Sequence, residues 1–164
     1  MAEALRVQPA GAPQPGHQLV RPLQKSDYPD WLPVWKANCL HRVSQDVTSE
    51  TWRRICSPEE QVFALGAWKD EKLVGILHYV LHPTTGSLTP ACYMQDLYIL
   101  ENCRRQGLAS HLVARLSCTG NAQNWARIYW LAERSNFAAQ AFYKNLGVKL
   151  DFTLHLLPMQ GNRI

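Results

Sequence analysis

Hydrophobic residues in the first part of the chain follow two different spacings. Residues 19–20 are an apolar pair just before Pro22, and they predict a short strand near a sheet edge, because proline cannot donate a ladder hydrogen bond. After Asp27 the apolar residues recur on one face of a helix. These residues are Trp31, Val34 and Trp35. A second helix is predicted over residues 49–55, with Ser49 as its N-cap.

Runs of β-forming residues occupy the middle of the chain. Residues 62–68 and 72–81 are two such runs, and the polar residues 69–71 between them predict an antiparallel hairpin. Residues 83–90 predict a loop, since they contain two prolines and a glycine. Residues 91–100 form a third run, apolar on both faces, which is typical of a central strand.

Helical spacing returns after Gln106, where three leucines recur every four residues. They are Leu108, Leu112 and Leu116. Residues 127–132 predict a further strand. Ser135 and Asn136 can cap a last helix that ends near Gly147, and residues 148–157 predict a closing strand.

This order of elements predicts an α/β fold with a mixed sheet and helices on both faces. The β-α-β-α segment in the second half requires at least two parallel strands. Residues 18–164 are expected to form one domain. Residues 1–17, rich in proline, glycine and alanine, are expected to be a flexible tail.

Composition excludes several classes of protein. The 17 basic and 13 acidic residues leave a net charge of +4 without a dense basic run, so nucleic-acid binding is not expected. The five cysteines are an odd number and contain no CxxC pair, which argues against a disulfide framework and a zinc site. No apolar run is long enough to span a membrane. We therefore expect a cytoplasmic protein without a bound metal.

The strongest chemical signal is the sequence RRQGLA at residues 104–109, between a strand and an amphipathic helix. A helix N-terminus has unpaired N–H groups, and a glycine lets an anion approach them. The two arginines add positive charge. The segment is therefore either a phosphate or pyrophosphate site or a basic turn with a glycine for packing.

Four segments in a fixed order extend this signal. They are YMQDLYI at residues 93–99, RRQGLA, the strand IYWL at 128–131, and a helix with the pattern NxxAxxFYxxxG at 136–147. Together they resemble the GCN5-related N-acetyltransferase (GNAT) superfamily over residues 18–157. The closest similarity is to its small polyamine or histone/polyamine acetyltransferase-like branch.

The resemblance implies an acetyl-CoA-dependent enzyme with a splayed sheet. Backbone groups of Leu97, Tyr98 and Ile99 would hold the pantetheine arm, and Asn136 would touch the cosubstrate. Tyr143 would protonate the leaving thiolate. The pyrophosphate cradle would consist of Arg104, Arg105, Gln106, Gly107, Leu108, Ala109 and Ser110.

One position departs from the polyamine-type pattern. That pattern has a glutamate, a candidate base, just before the strand aspartate, and this chain has Gln95 there. Since glutamine cannot accept a proton at useful pH, either Asp96 or a water relay deprotonates the amine, or the amine arrives neutral. Asp96 is equally open to interpretation as a structural hydrogen-bond acceptor.

The leading function is acetyl transfer to a primary amine of a small molecule, such as a polyamine or an amino-acid-like compound, by direct attack in a ternary complex. One alternative is a CoA-binding regulatory module with little catalysis, which Gln95 keeps open. Another is acetylation of lysines or N-termini of proteins or peptides. Trp31, Trp35 and Trp52 are candidates for a cluster at a homodimer interface.

Overall fold

The computed structural model describes residues 18–157. The predicted flexible tail, residues 1–17, lies outside this range. The chain divides into two compact units, the first ending at Trp130 and the second beginning at Leu131.

The first unit contains a mixed five-stranded sheet, as predicted. Its strands lie side by side in chain order, each antiparallel to the next except for the last two, which are parallel. They are β1 (Gln18–Pro22), β2 (Val62–Lys69), β3 (Lys72–His82), β4 (Ala91–Ile99) and β5 (Arg127–Tyr129). The edge position predicted for the proline-containing strand is confirmed. So is the hairpin, whose turn residues Asp70 and Glu71 both have positive φ angles, 49° and 64°.

Three helices pack on this sheet: α1 (Tyr28–Asn38), α2 (Gln45–Ile55) and α3 (Leu108–Ala122). On β3, Ile76 packs in the cluster under α1, while the Tyr79 ring packs at a tilt against Trp125, which follows α3. Because residues 76 and 79 of a strand point to opposite faces, α1 and α3 lie on opposite faces of the sheet. The predicted helices on both faces are therefore confirmed. None of the helices in residues 18–157 is long and apolar enough to cross a membrane.

The tryptophans of α1 and α2 belong to the core of the unit. The Trp31 and Trp35 rings stack at 5.5 Å, and their residues are 0% and 7% exposed. Trp52 packs against the same cluster, which also contains Trp68. Burial inside the chain leaves Trp31 and Trp35 little surface to present to a partner, and the homodimer stays a prediction.

Helix α2 begins earlier than predicted. Ser44, not Ser49, is its N-cap, and the Ser44 hydroxyl accepts a hydrogen bond from the Val47 N–H at 3.2 Å. Both serines precede helix-compatible residues, so local sequence favoured the wrong one.

Strand β4 separates from β5 after a short parallel contact. Only residues 91–93 of β4 pair with β5, which ends at Tyr129, three positions before the predicted end. The register between β3 and β4 then shifts, so that His78 pairs with Asp96 and Tyr79 with Met94. Gln95 is therefore the extra residue of a β-bulge, which bends the strand. Beyond the bulge, β4 has only β3 as a ladder partner within the described residues.

The second unit contains helix α4 (Phe137–Tyr143). The predicted cap is confirmed: the Asn136 side chain accepts a hydrogen bond from the Ala139 N–H at 3.1 Å. The helix ends four residues before Gly147, in a turn. The closing strand predicted over 148–157 is wrong, since those residues form neither strand nor helix. Their alternating apolar side chains are exposed, so the pattern is present without a strand partner.

Candidate active site

The N-terminus of α3 has backbone N–H groups without a partner inside the helix. Gly107 is the N-cap residue with φ +81°, a left-handed conformation that favours glycine, and no side chain caps the helix. The first intrahelical bond runs from the His111 N–H to the Gly107 carbonyl at 3.0 Å. The amides of Leu108, Ala109 and Ser110 are therefore left to a ligand or to water, at the positive end of the helix dipole.

The turn before α3 is exposed, and its side chains are divided between holding the turn and facing outward. Arg104 donates its Nε hydrogen to the Ile99 carbonyl at 3.1 Å. The Gln106 side chain accepts a hydrogen bond from Lys69 Nζ at 2.7 Å. Arg105 has φ +61°, and its guanidinium has no partner among the described residues. Its charge is available to a ligand.

The open edge of β4 leads directly to this turn. The Leu100 N–H donates to the Val74 carbonyl at 2.9 Å, so residue 100 faces β3. In an antiparallel ladder the direction alternates, which turns the backbone groups of Tyr98 to β3 and those of Leu97 and Ile99 to the open edge. The Ile99 carbonyl already accepts the Arg104 hydrogen bond. An extended ligand could add here as a further strand.

Asp96 lies at the centre of a hydrogen-bonded group on the α1 face of the sheet. One carboxylate oxygen, Oδ1, accepts from Asn38 Nδ2 at 3.0 Å, and Oδ2 lies 3.0 Å from His78 Nδ1. On the other side of the ring, Trp31 Nε1 donates to His78 Nε2 at 3.0 Å. The Asp96 side chain is 21% exposed, whereas that of His78 is 5% exposed.

These bonds indicate which ring nitrogen of His78 carries the proton. An indole N–H is only a donor, so His78 Nε2 carries the lone pair and Nδ1 carries the proton that Asp96 accepts. Burial acts to raise the pKa of the Asp96 carboxyl, but the hydrogen bond and the charge interaction with His78, together with the hydrogen bond from Asn38, outweigh it and hold that pKa below its ordinary value.

An aromatic pair stands at the point where β4 and β5 separate. The rings of Tyr93 and Tyr129 stack at 5.2 Å, and the Tyr129 hydroxyl lies 2.9 Å from His82 Nε2. Burial, together with the charge of Asp96 and the nearby Tyr129 phenol, raises the pKa of Tyr93. The side chain of Gln95, in the bulge between Tyr93 and Asp96, is exposed.

Two of the expected site residues lie in the second unit. The Asn136 carbonyl oxygen is engaged as the cap of α4, which leaves its amide group as the donor. Tyr143 is the last residue of α4 and is partly buried, and this burial raises the pKa of its phenol. Its hydroxyl is therefore protonated at neutral pH, as a proton donor must be.

Within the first unit, the structure joins the expected cosubstrate residues into one continuous surface along β4 and the start of α3. It also shows three residues that sequence reasoning missed around Asp96: Trp31, Asn38 and His78. A histidine in an otherwise apolar strand was the only signal for them, and nothing in the sequence indicated its partners 47 and 18 positions away.

The comparison with known families agrees with this geometry. A sequence profile described as "Acetyltransferase (GNAT) family" matches residues 20–148. The chain belongs to this family, which makes it an acetyl-CoA-dependent N-acetyltransferase. The resemblance found in the four sequence segments is thereby confirmed.

Individual relatives are distant. The D-amino-acid N-acetyltransferase HPA3 of Saccharomyces cerevisiae is 24% identical over 142 residues, which are 84% of this chain and 88% of the relative. The structure of the aminoglycoside N-acetyltransferase AAC(6')-Iy with CoA has a TM-score of 0.77 at 16% identity, covering 91% of this chain and 99% of that one. A ribosomal-protein-alanine N-acetyltransferase from Brucella melitensis biovar Abortus 2308 has a TM-score of 0.73 at 18% identity, covering 87% and 99%. These two structures share the fold.

The cosubstrate of the family, acetyl-CoA, fits the residues present. Its pyrophosphate requires donors without internal partners, which the uncapped amides of α3 provide, and Gly107 keeps side-chain atoms away from them. Its pantetheine amides require an unpaired strand edge, which β4 provides beyond Gln95.

Proposed function

We propose that the chain transfers the acetyl group of acetyl-CoA to a primary amine of a small molecule, by direct attack within a ternary complex. The observation that carries the proposal is that the open edge of β4 continues into the turn at the start of α3. The open edge of β4 ends at Ile99, and Arg104 links that residue to the turn that begins α3. The side of β4 facing α1 bears a charged carboxylate, Asp96, in reach of an amine.

Each residue has a defined task in this proposal. The amides of residues 105–110 and the Arg105 guanidinium bind the pyrophosphate, with Arg104 holding the turn. Leu97 and Ile99 bind the pantetheine arm through their backbone, Tyr98 supports the same strand, and Asn136 donates its amide to the cosubstrate. Asp96 contacts the acceptor amine, and Tyr143 donates a proton to the leaving sulfur.

The reaction balances without a further co-reactant. Acetyl-CoA supplies an acetyl thioester, and the neutral amine nitrogen attacks its carbonyl carbon, so that a C–N bond forms and the C–S bond breaks. The sulfur takes a proton from the Tyr143 phenol. The amine nitrogen loses a proton to solvent, and solvent returns a proton to Tyr143. The reaction needs no covalent enzyme intermediate, and neither Asp96 nor Tyr143 serves as a nucleophile in this reaction.

The names of two of the three relatives above favour a small acceptor, whereas the third is named for a ribosomal protein. HPA3 is named for D-amino acids and AAC(6')-Iy for aminoglycosides, and both substrates carry primary amines. The cytoplasm is the proposed compartment, because all five cysteines are free thiols and thiols persist in a reducing environment.

An acceptor panel tests the proposal. The chain is incubated with acetyl-CoA and one acceptor at a time: D- and L-amino acids, a polyamine, an aminoglycoside, and a peptide with a free N-terminus and a lysine. Mass spectrometry and thiol titration then measure the acetylated product and the free CoA. We expect equal amounts of both with a small amine. Acetylation of the peptide alone would contradict the small-molecule assignment, and binding of acetyl-CoA without transfer to any acceptor would favour a regulatory module.

A further inference from the structure

A hydrogen bond joins two side chains, His82 and Tyr129, to which the proposed function gives no task. The Tyr129 hydroxyl lies 2.9 Å from His82 Nε2, and His82 Nδ1 lies 2.9 Å from the Pro83 carbonyl. A carbonyl only accepts, so Nδ1 carries a proton and Nε2 is the nitrogen that faces the phenol. Without a proton, Nε2 accepts from the Tyr129 O–H, and with one it donates to the phenol oxygen. The pair can therefore take up a proton without losing either hydrogen bond.

Strand register places this pair on the α1 face of the sheet, where the acceptor is proposed to bind. His78 and His82 are four residues apart on β3, so their side chains point to the same face, and His78 is hydrogen-bonded to α1. Tyr93 of β4 pairs with Val80 of β3 and with Tyr129 of β5. Cross-strand partners share a face, so Tyr129 also lies on the α1 side, with its ring stacked on Tyr93 at 5.2 Å.

Acetyl-CoA bound as proposed directs its thioester toward this pair. Its pyrophosphate lies at the start of α3, and its pantetheine arm runs back along the open edge of β4 from Ile99 to Leu97. Continued in that direction, the sulfur end reaches the bulge at Gln95, just past the point where β5 ends at Tyr129. An amine that attacks the thioester from the α1 face therefore approaches on the side where the Tyr129 hydroxyl lies.

Three other groups on this face are less suited to accept a proton. The pKa of the Asp96 carboxyl lies below its ordinary value, which makes its carboxylate a weak base. His78 is engaged at both ring nitrogens, by Asp96 and by the buried Trp31. Burial raises the pKa of Tyr93, so this phenol keeps its own proton at neutral pH. His82, in contrast, is half-buried and lines a groove of about 230 Å³ beside the loop 83–90, through which water can reach the ring.

We propose that Tyr129 and His82 form a proton relay for the acceptor amine. The Tyr129 oxygen takes a proton from the nitrogen that has attacked the thioester, and the Tyr129 hydroxyl passes its own proton to His82 Nε2. The inference rests on the proposed function, which it deepens by giving a route to the proton that otherwise leaves directly to solvent. Tyr129 contacts the reacting nitrogen, and His82 acts only through Tyr129.

The relay balances in protons and electrons. The attacking nitrogen keeps the electron pair of the N–H bond that breaks, and the phenol oxygen gains this proton as its own O–H bond breaks. His82 Nε2 uses its lone pair to form the new N–H bond, and the imidazolium stays between the Pro83 carbonyl and the phenol. Its Nε2 proton then passes to water in the groove, and the phenol O–H turns back to Nε2. Because the relay acts after attack, the amine must still arrive neutral.

Two conservative substitutions distinguish a relay from a purely structural link between β3 and β5. Tyr129→Phe keeps the aromatic ring and removes the hydroxyl. His82→Gln keeps a group that can accept the hydroxyl's hydrogen bond but cannot take up its proton. Steady-state kinetics are measured with spermidine and D-alanine, and the faster of the two amines is used for comparison. We expect kcat to fall roughly 10²-fold in each variant, with KM for the amine and for acetyl-CoA unchanged. Native kcat in either folded variant would overturn the relay.

Matched controls and a double variant sharpen this test. Tyr79→Phe removes a hydroxyl on the α3 face, and His41→Gln changes an exposed histidine after α1, so both should keep the native kcat. Because the relay works as one unit, the double variant of Tyr129→Phe and His82→Gln should lose no more than either single variant. Losses that multiply in the double variant would contradict a shared proton path.

The solvent isotope effect is a readout that a structural link would not move, and it needs no variant. The acetyl-CoA-loaded chain is mixed with the same amine in mixtures of H₂O and D₂O, and the release of CoA is followed over a single turnover. Two protons move together in the relay, so the native rate should fall along a curve as the deuterium fraction rises. In His82→Gln the plot should become straight. A straight plot or no isotope effect in the native chain would overturn the relay.

The two proposals can fail separately. If no amine of the acceptor panel is acetylated, the proposed function is overturned and the relay with it. A chain that acetylates an amine, but whose Tyr129→Phe and His82→Gln variants are fully active, keeps its function and loses only the relay.

Discussion

Arg104 donates its Nε hydrogen to the backbone carbonyl of Ile99 at 3.1 Å, so the turn before α3 is fixed to the last residue of β4. The same guanidinium lies 3.7 Å from the Glu101 carboxylate and 5.6 Å from the centre of the Tyr98 ring. The Arg104 guanidinium is therefore engaged by other residues of the protein. The neighbouring Arg105 points its charge outward, and the two adjacent arginines have different tasks.

Arg105→Gly should stabilise the fold and weaken acetyl-CoA binding. A non-glycine residue at φ +61° is strained, and glycine relieves roughly 1 kcal/mol of that strain. The pyrophosphate loses one charge–charge contact, while the α3 amides remain, so affinity should fall about tenfold. Thermal unfolding and isothermal titration calorimetry measure the two effects.

Leu40→Gly is the matched control for this substitution. Leu40 is exposed with φ 51° in the loop after α1, so the change relieves similar strain without altering charge. It should stabilise the chain and leave acetyl-CoA affinity as it was. If Arg105→Gly also leaves affinity unchanged, Arg105 does not bind the phosphates.

Gly107→Ala should lower acetyl-CoA affinity more than it lowers stability. The added Cβ has space, with His111 as its nearest neighbour at 3.9 Å, but φ +81° strains an alanine by about 1–2 kcal/mol. Relief of that strain would shift the backbone and misdirect the N–H groups at the start of α3. Gly86→Ala, in an open loop with no atom within 4 Å, is the control and should change neither quantity. Normal affinity in a folded Gly107→Ala variant would remove this turn as the pyrophosphate site.

Tyr143→Phe should lower kcat by roughly 10²–10⁴-fold with little change in acetyl-CoA affinity, because only a proton donor is lost. Burial raises the pKa of the Tyr143 phenol, so the donor stays protonated through neutral pH. Steady-state kinetics provide the measurement. Tyr79→Phe is the control, since Tyr79 lies on the α3 face with its ring against Trp125, and it should retain kcat. Full activity of Tyr143→Phe would exclude this tyrosine as the acid.

The rate should depend on pH through the acceptor amine. Asp96 has a pKa below its ordinary value, so it remains ionised and its titration contributes no change between about pH 6 and 9. Without a better base, kcat should rise toward the amine pKa of about 10. Gln95→Glu places a carboxylate at the exposed bulge and should raise kcat near pH 7 and flatten the profile.

Gln61→Glu, an exposed substitution at the residue before β2, adds the same charge away from the bulge and should leave the pH profile unchanged. A native rate that is flat across this pH range would contradict the account. So would an Asp96→Asn variant that retains full activity.

The order and type of most elements could be predicted from local pattern. The leucine spacing of α3 and the polar turn between β2 and β3 are local signals, and the structure follows them. The chosen cap of α2 failed because Ser44 and Ser49 are locally equivalent, and only the packing of the whole helix distinguishes them. Residues 148–157 alternate like a strand, but a strand also needs a neighbour with free backbone groups.

The cosubstrate surface was more predictable than the acceptor surface for a similar reason. The phosphate cradle is made of consecutive residues, 104–110, so its chemistry is visible in sequence. The group around Asp96 joins residues from α1, β3 and β4, and the bond between Asn38 and Asp96 spans 58 positions. The bulge at Gln95 is likewise a property of the register between two strands, which no single segment determines.

Acetyl-CoA binding to the folded chain is the most direct test of the central claim. A ligand that binds only the folded state adds RT ln(1 + [L]/Kd), about 2.7 kcal/mol at a hundredfold excess over Kd. The melting temperature should therefore rise with acetyl-CoA concentration in the native chain, much less in Gly107→Ala, and fully in Gly86→Ala. A native melting temperature that does not move at millimolar acetyl-CoA would contradict the assignment of β4 and α3 as the cosubstrate site.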